Sequence, residues 1–104
     1  MENQTNAITN GMTQEREAAI LERAISKFGT GAQILKAVEE LGELSVELAR
    51  DLNGLGCTEA IREEMADAFI MLNQLELIFG DVTEIEVAKL ERLEKRVMGD
   101  VVSL

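Results

Sequence analysis

Threonine and glycine divide this 104-residue chain at regular intervals, and no proline interrupts the segments between them. Four threonines each precede a stretch of helical hydrophobic periodicity: Thr13, Thr30, Thr58 and Thr83. Four glycines each follow one: Gly29, Gly54, Gly80 and Gly99. A threonine hydroxyl caps the first N–H groups of a helix, and glycine accepts the positive φ angle at which many helices end. The pattern predicts an all-α fold with four helices, over residues 13–28, 31–53, 58–79 and 84–98.

Two of these helix starts carry the fuller capping-box pattern, in which a side chain three residues on bonds back to the threonine backbone. The pairs are Thr30 with Gln33 and Thr83 with Glu86. We therefore expect the threonine to be the N-cap of both helices.

The length of the chain limits it to one domain with a modest core. We expect that single domain over residues 13–104 and a disordered leader over the polar residues 1–12. Apolar residues make up 46% of the chain, too many for a disordered acidic protein. No segment resembles an export signal or is long and apolar enough to span a membrane, so we expect a cytoplasmic protein.

The charge balance and the missing residue types exclude several kinds of site. The chain has 20 acidic and 10 basic residues, a net charge of −10, no histidine, and Cys57 as its one cysteine. Ser-His-Asp triads, a disulfide framework within the chain and cysteine-based zinc sites are therefore excluded. The negative charge argues against nucleic acid or an anionic membrane as a partner. Oxygen ligands remain, and they favour a hard cation such as Mg²⁺.

The second and third predicted helices differ in where their apolar residues lie. In the second helix they form one stripe that is predicted to face the core: Ile34, Val38, Leu41, Leu48 and Leu52. Between Met65 and Phe79 of the third helix, apolar residues lie on every side, the pattern of a helix that is buried all round. We expect a second copy to provide the cover, in a homodimer or homotetramer. The alternative is a monomer in which the leader and the first helix wrap over the third.

Carboxylates form i, i+3 pairs on the same two helices. Glu40 and Glu43 belong to the second helix, and Glu64 and Asp67 to the third. Because a short glycine-rich turn at residues 53–57 joins the two, we expect antiparallel neighbours with facing carboxylates. Such charges repel unless a cation lies between them, and oxygen ligands alone favour Mg²⁺ or Mn²⁺ over zinc. The alternatives are a solvated acidic face and, for Asp67, a structural salt bridge.

Gly42 lies inside the second predicted helix, between Glu40 and Glu43. An interior glycine costs a helix about 1 kcal/mol relative to alanine. The functional explanation is the close approach of another backbone or of a ligand beside the carboxylates, and the neutral explanation is drift.

The fourth predicted helix carries the opposite charge. Lys89, Arg92 and Arg96 form one stripe beside its apolar face. Guanidinium forks and lysine ammonium groups bind phosphate oxygens, although ion pairs with glutamates of the same helix are the common alternative. A carboxylate–metal cluster next to such a stripe has the groups needed to bind and cleave a polyphosphate.

The segments Glu39-Glu40-Leu41-Gly42-Glu43 and Glu64-Met65-Ala66-Asp67 resemble the EExxE and ExxD motifs of MazG-like nucleoside triphosphate pyrophosphohydrolases, an all-α superfamily. The resemblance covers residues 30–98. It implies four Mg²⁺ ligands, with Mn²⁺ as a substitute: Glu40, Glu43, Glu64 and Asp67. It gives Glu39 the role of positioning or deprotonating water, and it implies phosphate contacts for Lys89, Arg92 and Arg96.

The same resemblance implies an activity and an assembly. Such an enzyme cleaves a nucleoside triphosphate into the monophosphate and pyrophosphate, clears unwanted nucleotides and works as a dimer or tetramer of helical bundles. The chain has no tyrosine or tryptophan, so three phenylalanines are the only aromatic residues that could stack on a base. In this respect the sequence departs from the members of the superfamily that select one base strictly. A second hypothesis is a non-catalytic acidic bundle that keeps the fold and binds a protein partner. A mimic of DNA, suggested by charge alone, is a third.

Overall fold

A computed structural model describes residues 10–99, which fold into four α-helices. The helices are α1 (Gln14–Phe28), α2 (Thr30–Leu52), α3 (Thr58–Phe79) and α4 (Thr83–Met98). The described residues contain no strand, so the all-α prediction is confirmed, and every predicted helix boundary lies within one residue of the observed one. Of the predicted leader, residues 10–12 lead into α1. Residues 1–9 and 100–104 lie outside the described range.

The helix starts differ from the prediction in which residue caps them. Thr13 is the N-cap of α1, and its hydroxyl accepts a hydrogen bond from the Arg16 N–H (3.0 Å). Thr30 and Thr83 are instead the first residues of α2 and α4, which begin without a side-chain cap. The two predicted capping boxes are wrong because each helix begins one residue earlier than expected. The Thr83 hydroxyl donates to Asp81 Oδ1 instead (2.8 Å).

The turn between α2 and α3 is short and tightly packed. The Gly54 N–H donates to the Asp51 carbonyl (3.0 Å), and Gly54 has a positive φ of 78°. Gly56 lies so close to the end of α2 that a Cβ there would be 2.5 Å from the Asp51 Cα. This turn sets α2 and α3 side by side, and they pack against each other more extensively than any other pair of helices.

The core of the chain is small and lies between α1, α2 and α3. Its buried apolar side chains are Leu21, Ala37, Ala68 and Met71. Two polar contacts tie α1 to α3. The buried Gln74 amide donates to the Leu21 carbonyl (3.3 Å), and the Asn73 amide donates to the Glu17 carboxylate (2.6 Å).

The prediction that the apolar stripe of α2 faces the core is wrong in part. Val38 and Leu52 are 62% and 88% exposed, and the buried residues of α2 are Ala37 and Glu40. Apolar residues lie on two faces of this helix, and periodicity alone does not tell which face packs within the chain. The small Ala37 lets α2 approach its neighbours closely, which turns Glu40 inward as well.

The third helix is not buried all round within one chain. Only Ala68, Met71 and Gln74 of α3 are buried, while Phe69 and Phe79 are exposed. No residue of α4 is buried, and α4 makes only isolated contacts with the other helices. The radius of gyration is 16.8 Å, whereas a compact domain of this length has about 13 Å. A large apolar surface on α3 and α4 is therefore open to solvent.

None of the helices in residues 10–99 combines the length and the apolar character that crossing a membrane requires.

Gly56→Ala is expected to lower the free energy of unfolding by about 1–3 kcal/mol, because the new methyl group overlaps Asp51. Gly42→Ala is the matched control. A Cβ at Gly42 would meet no atom within 4 Å beyond its chain neighbours and the backbone of its own helix, so alanine there is expected to stabilise α2 by about 0.5–1 kcal/mol. Urea unfolding measures both changes, and equal effects of the two variants would contradict the close packing of the turn.

Candidate metal centre

Three glutamates from α2 and α3 meet across the hairpin. Glu40 and Glu43 lie one turn apart on α2, and Glu64 lies in the first half of α3. One carboxylate oxygen of each lies within 4.8 Å of the others. We call these three residues the glutamate cluster. The i, i+3 spacing puts two of them on one side of α2, and the short turn brings α3 against that side. The structure thus joins three of the four predicted ligands.

Asp67, the fourth predicted ligand, lies one turn beyond Glu64 on α3 and is partly buried. Its carboxylate is not among the oxygens grouped within 4.8 Å, but its negative charge acts on Glu64 and helps to raise the pKa of that residue. Asp67 takes part in neither of the two ion pairs of residues 10–99. The salt bridge considered as its alternative role is therefore not formed in the described structure.

Glu40 is the unusual member of the cluster, because a carboxylate is costly to bury. It is 9% exposed, and its Oε2 accepts a charged hydrogen bond from Lys36 Nζ (3.1 Å). Its Oε1 has no hydrogen-bond partner among residues 10–99, and the same holds for Oε1 of Glu64. A buried oxygen without a partner has lost its hydration with no compensation. A cation bound between α2 and α3 would satisfy both oxygens, so the donor set fits a hard metal ion.

Burial, together with the negative charge of neighbouring carboxylates, raises the pKa of Glu64. Burial is the main cause, because it disfavours the charged form, and repulsion from Glu43, Asp67 and Glu40 adds to it. A hydrogen bond shared with Glu43 acts in the same direction. Glu64 therefore keeps its proton to a higher pH than an exposed glutamate does. A divalent cation would have the opposite effect, because metal ligands must be deprotonated.

Two other predictions about α2 concern Glu39 and Gly42. Glu39 is exposed beside Glu40 and does not belong to the glutamate cluster. Apart from its chain neighbours and the backbone of its own helix, no atom of residues 10–99 lies within 4 Å of a Cβ built at Gly42, so the close approach suggested for this glycine is not found there.

The basic residues of α4, Lys89, Arg92 and Arg96, line an exposed pocket together with Leu93. None of them forms an ion pair with a carboxylate in the described part of the chain. The alternative of ion pairs within the helix is thus not realised there. Because α4 makes only isolated contacts with other helices, nothing in the packing of residues 10–99 holds this basic stripe beside the glutamate cluster.

Lys36 forms an ion pair with the glutamate cluster but was not among the predicted site residues. It precedes Glu40 by four residues, the spacing at which a lysine and a glutamate meet on one face of a helix. That spacing was the available signal. It is common on helix surfaces, and the burial of Glu40 that makes it significant depends on the packing of α3.

Comparison with protein-family models, with curated proteins and with solved structures finds no match. The MazG-like resemblance of the two acidic motifs therefore stays a prediction. The function has to be argued from the glutamate cluster and its surroundings.

With divalent cations removed by a chelator, the melting temperature is expected to depend on the ionisation of Glu64. The pKa of Glu64 is higher in the folded chain than its ordinary value of 4.5. As the pH rises above 4.5, the folded state therefore holds more protons than the unfolded state, and the free energy of unfolding falls until Glu64 is ionised in both states.

Glu64→Gln is expected to melt at a higher temperature than the wild type at pH 7 and to lose stability less steeply between pH 4.5 and 7.5. Glu63→Gln, an exposed neighbour on α3, is the control. Circular dichroism melts measure both effects. Identical pH profiles for wild type and Glu64→Gln would contradict the crowding of the cluster.

Proposed function

We propose that this protein is a Mg²⁺-dependent nucleoside triphosphate pyrophosphohydrolase. The observation that carries the proposal is the buried, unpartnered oxygen on each of Glu40 and Glu64, two residues of one cluster. Carboxylate oxygens without histidine or cysteine suit Mg²⁺, with Mn²⁺ as a substitute. The two motifs that supply them resemble those of MazG-like enzymes, which cleave triphosphates with carboxylate-bound Mg²⁺.

Each group in the proposed site has a role in the hydrolysis. The cation would be held by Glu40, Glu43, Glu64 and Asp67. When bound, it supplies polarisation of the α-phosphoryl group and a bridge between an acidic site and an anionic substrate. Water adds to the α-phosphorus, the bond to the α–β bridging oxygen breaks, and pyrophosphate leaves. Glu39, exposed beside Glu40, is proposed to take the proton that the water loses.

The basic stripe of α4 is proposed to stabilise the negative charge of the departing pyrophosphate. Lys89, Arg92 and Arg96 are exposed and free of ion pairs within residues 10–99, so their donors are available to phosphate oxygens. The proposed role in the cell is the removal of unwanted nucleotides in the cytoplasm, with no nucleic-acid or membrane partner.

The proposed enzyme is a homodimer or homotetramer. A groove of about 440 Å³ between the end of α3 and the start of α4 is lined by apolar side chains that include Phe69, Leu72 and Phe79. Burying one such side chain contributes about 1.5–3 kcal/mol, so an open surface of several favours association. A second copy would cover this groove and would give α4 a surface to pack against. Packing of α4 in such an assembly would be the means of holding the basic stripe beside the glutamate cluster.

Purified protein with Mg²⁺ is expected to release pyrophosphate from at least one nucleotide in a panel of common and modified (d)NTPs. Glu40→Gln and Asp67→Asn are expected to lower the rate about 100-fold or more, because they weaken cation binding. Glu63→Gln, exposed beside Glu64, is the matched control and should keep the wild-type rate. A lack of turnover across the panel with both Mg²⁺ and Mn²⁺ would overturn the proposal.

The exposed apolar face of α4 favours the second hypothesis, a non-catalytic module that binds a protein partner. The two hypotheses differ in their response to divalent cations. A ligand that binds only the folded state stabilises it by about 2.7 kcal/mol at 100 times its Kd. For the enzyme, Mg²⁺ is expected to raise the melting temperature of the wild type but not of Glu40→Gln. For the module, Mg²⁺ changes neither.

Sedimentation velocity is expected to show a dimer or tetramer of the wild type. Phe69→Glu should shift it toward monomer, because a charge in the apolar groove opposes burial against a second copy. Ile20→Glu changes an exposed apolar residue of α1 outside the groove and serves as the control. A wild type that sediments as a monomer at micromolar concentration would contradict the proposed assembly.

A further inference from the structure

Lys36 is the only basic residue in the described part of the chain that forms an ion pair with the glutamate cluster. It lies one turn before Glu40 on α2, and its Nζ is 3.1 Å from Glu40 Oε2. The other ion pair of residues 10–99 joins Arg50 and Glu47 at 4.0 Å, outside the cluster. Within residues 10–99, Lys36 is therefore the one basic side chain that is paired with the glutamate cluster.

The two partners of this ion pair have different surroundings. The Glu40 side chain is 11% exposed and the Lys36 side chain 53% exposed. The ammonium group thus reaches a buried carboxylate from the rim of the site, on a stem that lies at the surface. Because the Lys36 side chain is about half exposed, its ammonium group can leave Glu40 for another anion without first leaving the protein interior. The ion pair also leaves Glu40 Oε1 without a partner. The lysine thus compensates one oxygen of Glu40, whereas a divalent cation between α2 and α3 would also bind the unpartnered oxygens.

Electrostatics favour the pair only while no stronger cation is present. The hydrogen bond to Glu40 raises the pKa of Lys36, and the charges of Glu40, Glu39 and Glu43 add to this effect. A lysine ammonium group is charged at neutral pH at its ordinary pKa as well. A divalent cation on Glu40 would repel an ammonium group on the same carboxylate, because two positive charges at such a separation interact strongly outside bulk water.

We propose that Lys36 has two alternating partners: the Glu40 carboxylate when the site holds no divalent cation, and a phosphate oxygen of the nucleotide when it does. The inference rests on the proposed function, since it needs a cation and a triphosphate at this site. In the cation-free protein Lys36 reduces the repulsion within the cluster. Once displaced, it stands at the rim as a point charge for phosphate.

The test measures binding rather than turnover, by titration calorimetry in two steps. Mn²⁺ alone is titrated first, and a non-hydrolysable nucleoside triphosphate with a methylene bridge between the α and β phosphorus atoms is titrated second, at saturating Mn²⁺. Lys36→Met is expected to bind Mn²⁺ about three- to tenfold more tightly, because a competing charge is gone, and the triphosphate about tenfold more weakly.

Two variants control for charge and for folding. Lys27→Met makes the same charge change on α1, where Nζ lies 5.5 Å from the centre of the Phe28 ring, and should leave both affinities near the wild-type values. Lys36→Arg keeps the charge at the rim and should bind Mn²⁺ as the wild type does. If a melting curve in chelator shows that Lys36→Met is unfolded, Lys36→Gln takes its place, because glutamine retains a hydrogen-bond donor for Glu40.

Each result separates the two proposals. Unchanged or weaker Mn²⁺ binding by Lys36→Met overturns the alternation, and so does an unchanged affinity for the triphosphate. If the wild type binds Mn²⁺ and releases pyrophosphate while Lys36→Met behaves like the wild type, only this inference falls. If the wild type binds no divalent cation, the proposed function and the inference both fall.

Discussion

Repulsion between carboxylates across the α2–α3 hairpin is the constraint on which the rest of the molecule depends. The most extensive helix packing in the chain joins these two helices, and it brings Glu40, Glu43 and Glu64 together with a nine-tenths-buried carboxylate among them. Lys36 compensates one oxygen of Glu40. Oε1 of Glu40 and Oε1 of Glu64 have no hydrogen-bond partner among residues 10–99. A cation bound at the cluster, as the proposed function requires, would relieve this repulsion.

The same hairpin explains why large apolar side chains of α3 stay exposed within one chain. Small residues such as Ala37 and Ala68 fill the contact between the helices, so the buried apolar core stays minor. The large side chains, Phe69 and Phe79 among them, point away from it and line the outer surface of α3. The core of one chain and the surface proposed for a second copy are thus two faces of one helix. The separation is consistent with an assembly in which the cluster lies inside each hairpin.

The sequence predicts the helices and the cluster because both depend on local spacing. Gly29 and Gly80 end their helices at positive φ, and the i, i+3 spacing with a short turn is enough to bring Glu40 and Glu64 together. The helix starts were predicted less well: Gly29 and Val82 are the N-caps of α2 and α4, and Thr83 bonds to the Asp81 side chain, which the capping-box pattern does not include. The buried face of α2 and the packing of α4 depend on which apolar surfaces pack against each other. Hydrophobic periodicity predicts where an apolar face lies on a helix but not which other helix packs against that face.

Anomalous diffraction from crystals grown with Mn²⁺ tests the central claim most directly, because it locates the ion without relying on catalysis. We expect an anomalous peak between α2 and α3, within coordination distance of carboxylate oxygens of Glu40 and Glu64. A map without a peak at the glutamate cluster, in crystals that contain millimolar Mn²⁺ at neutral pH, would contradict it.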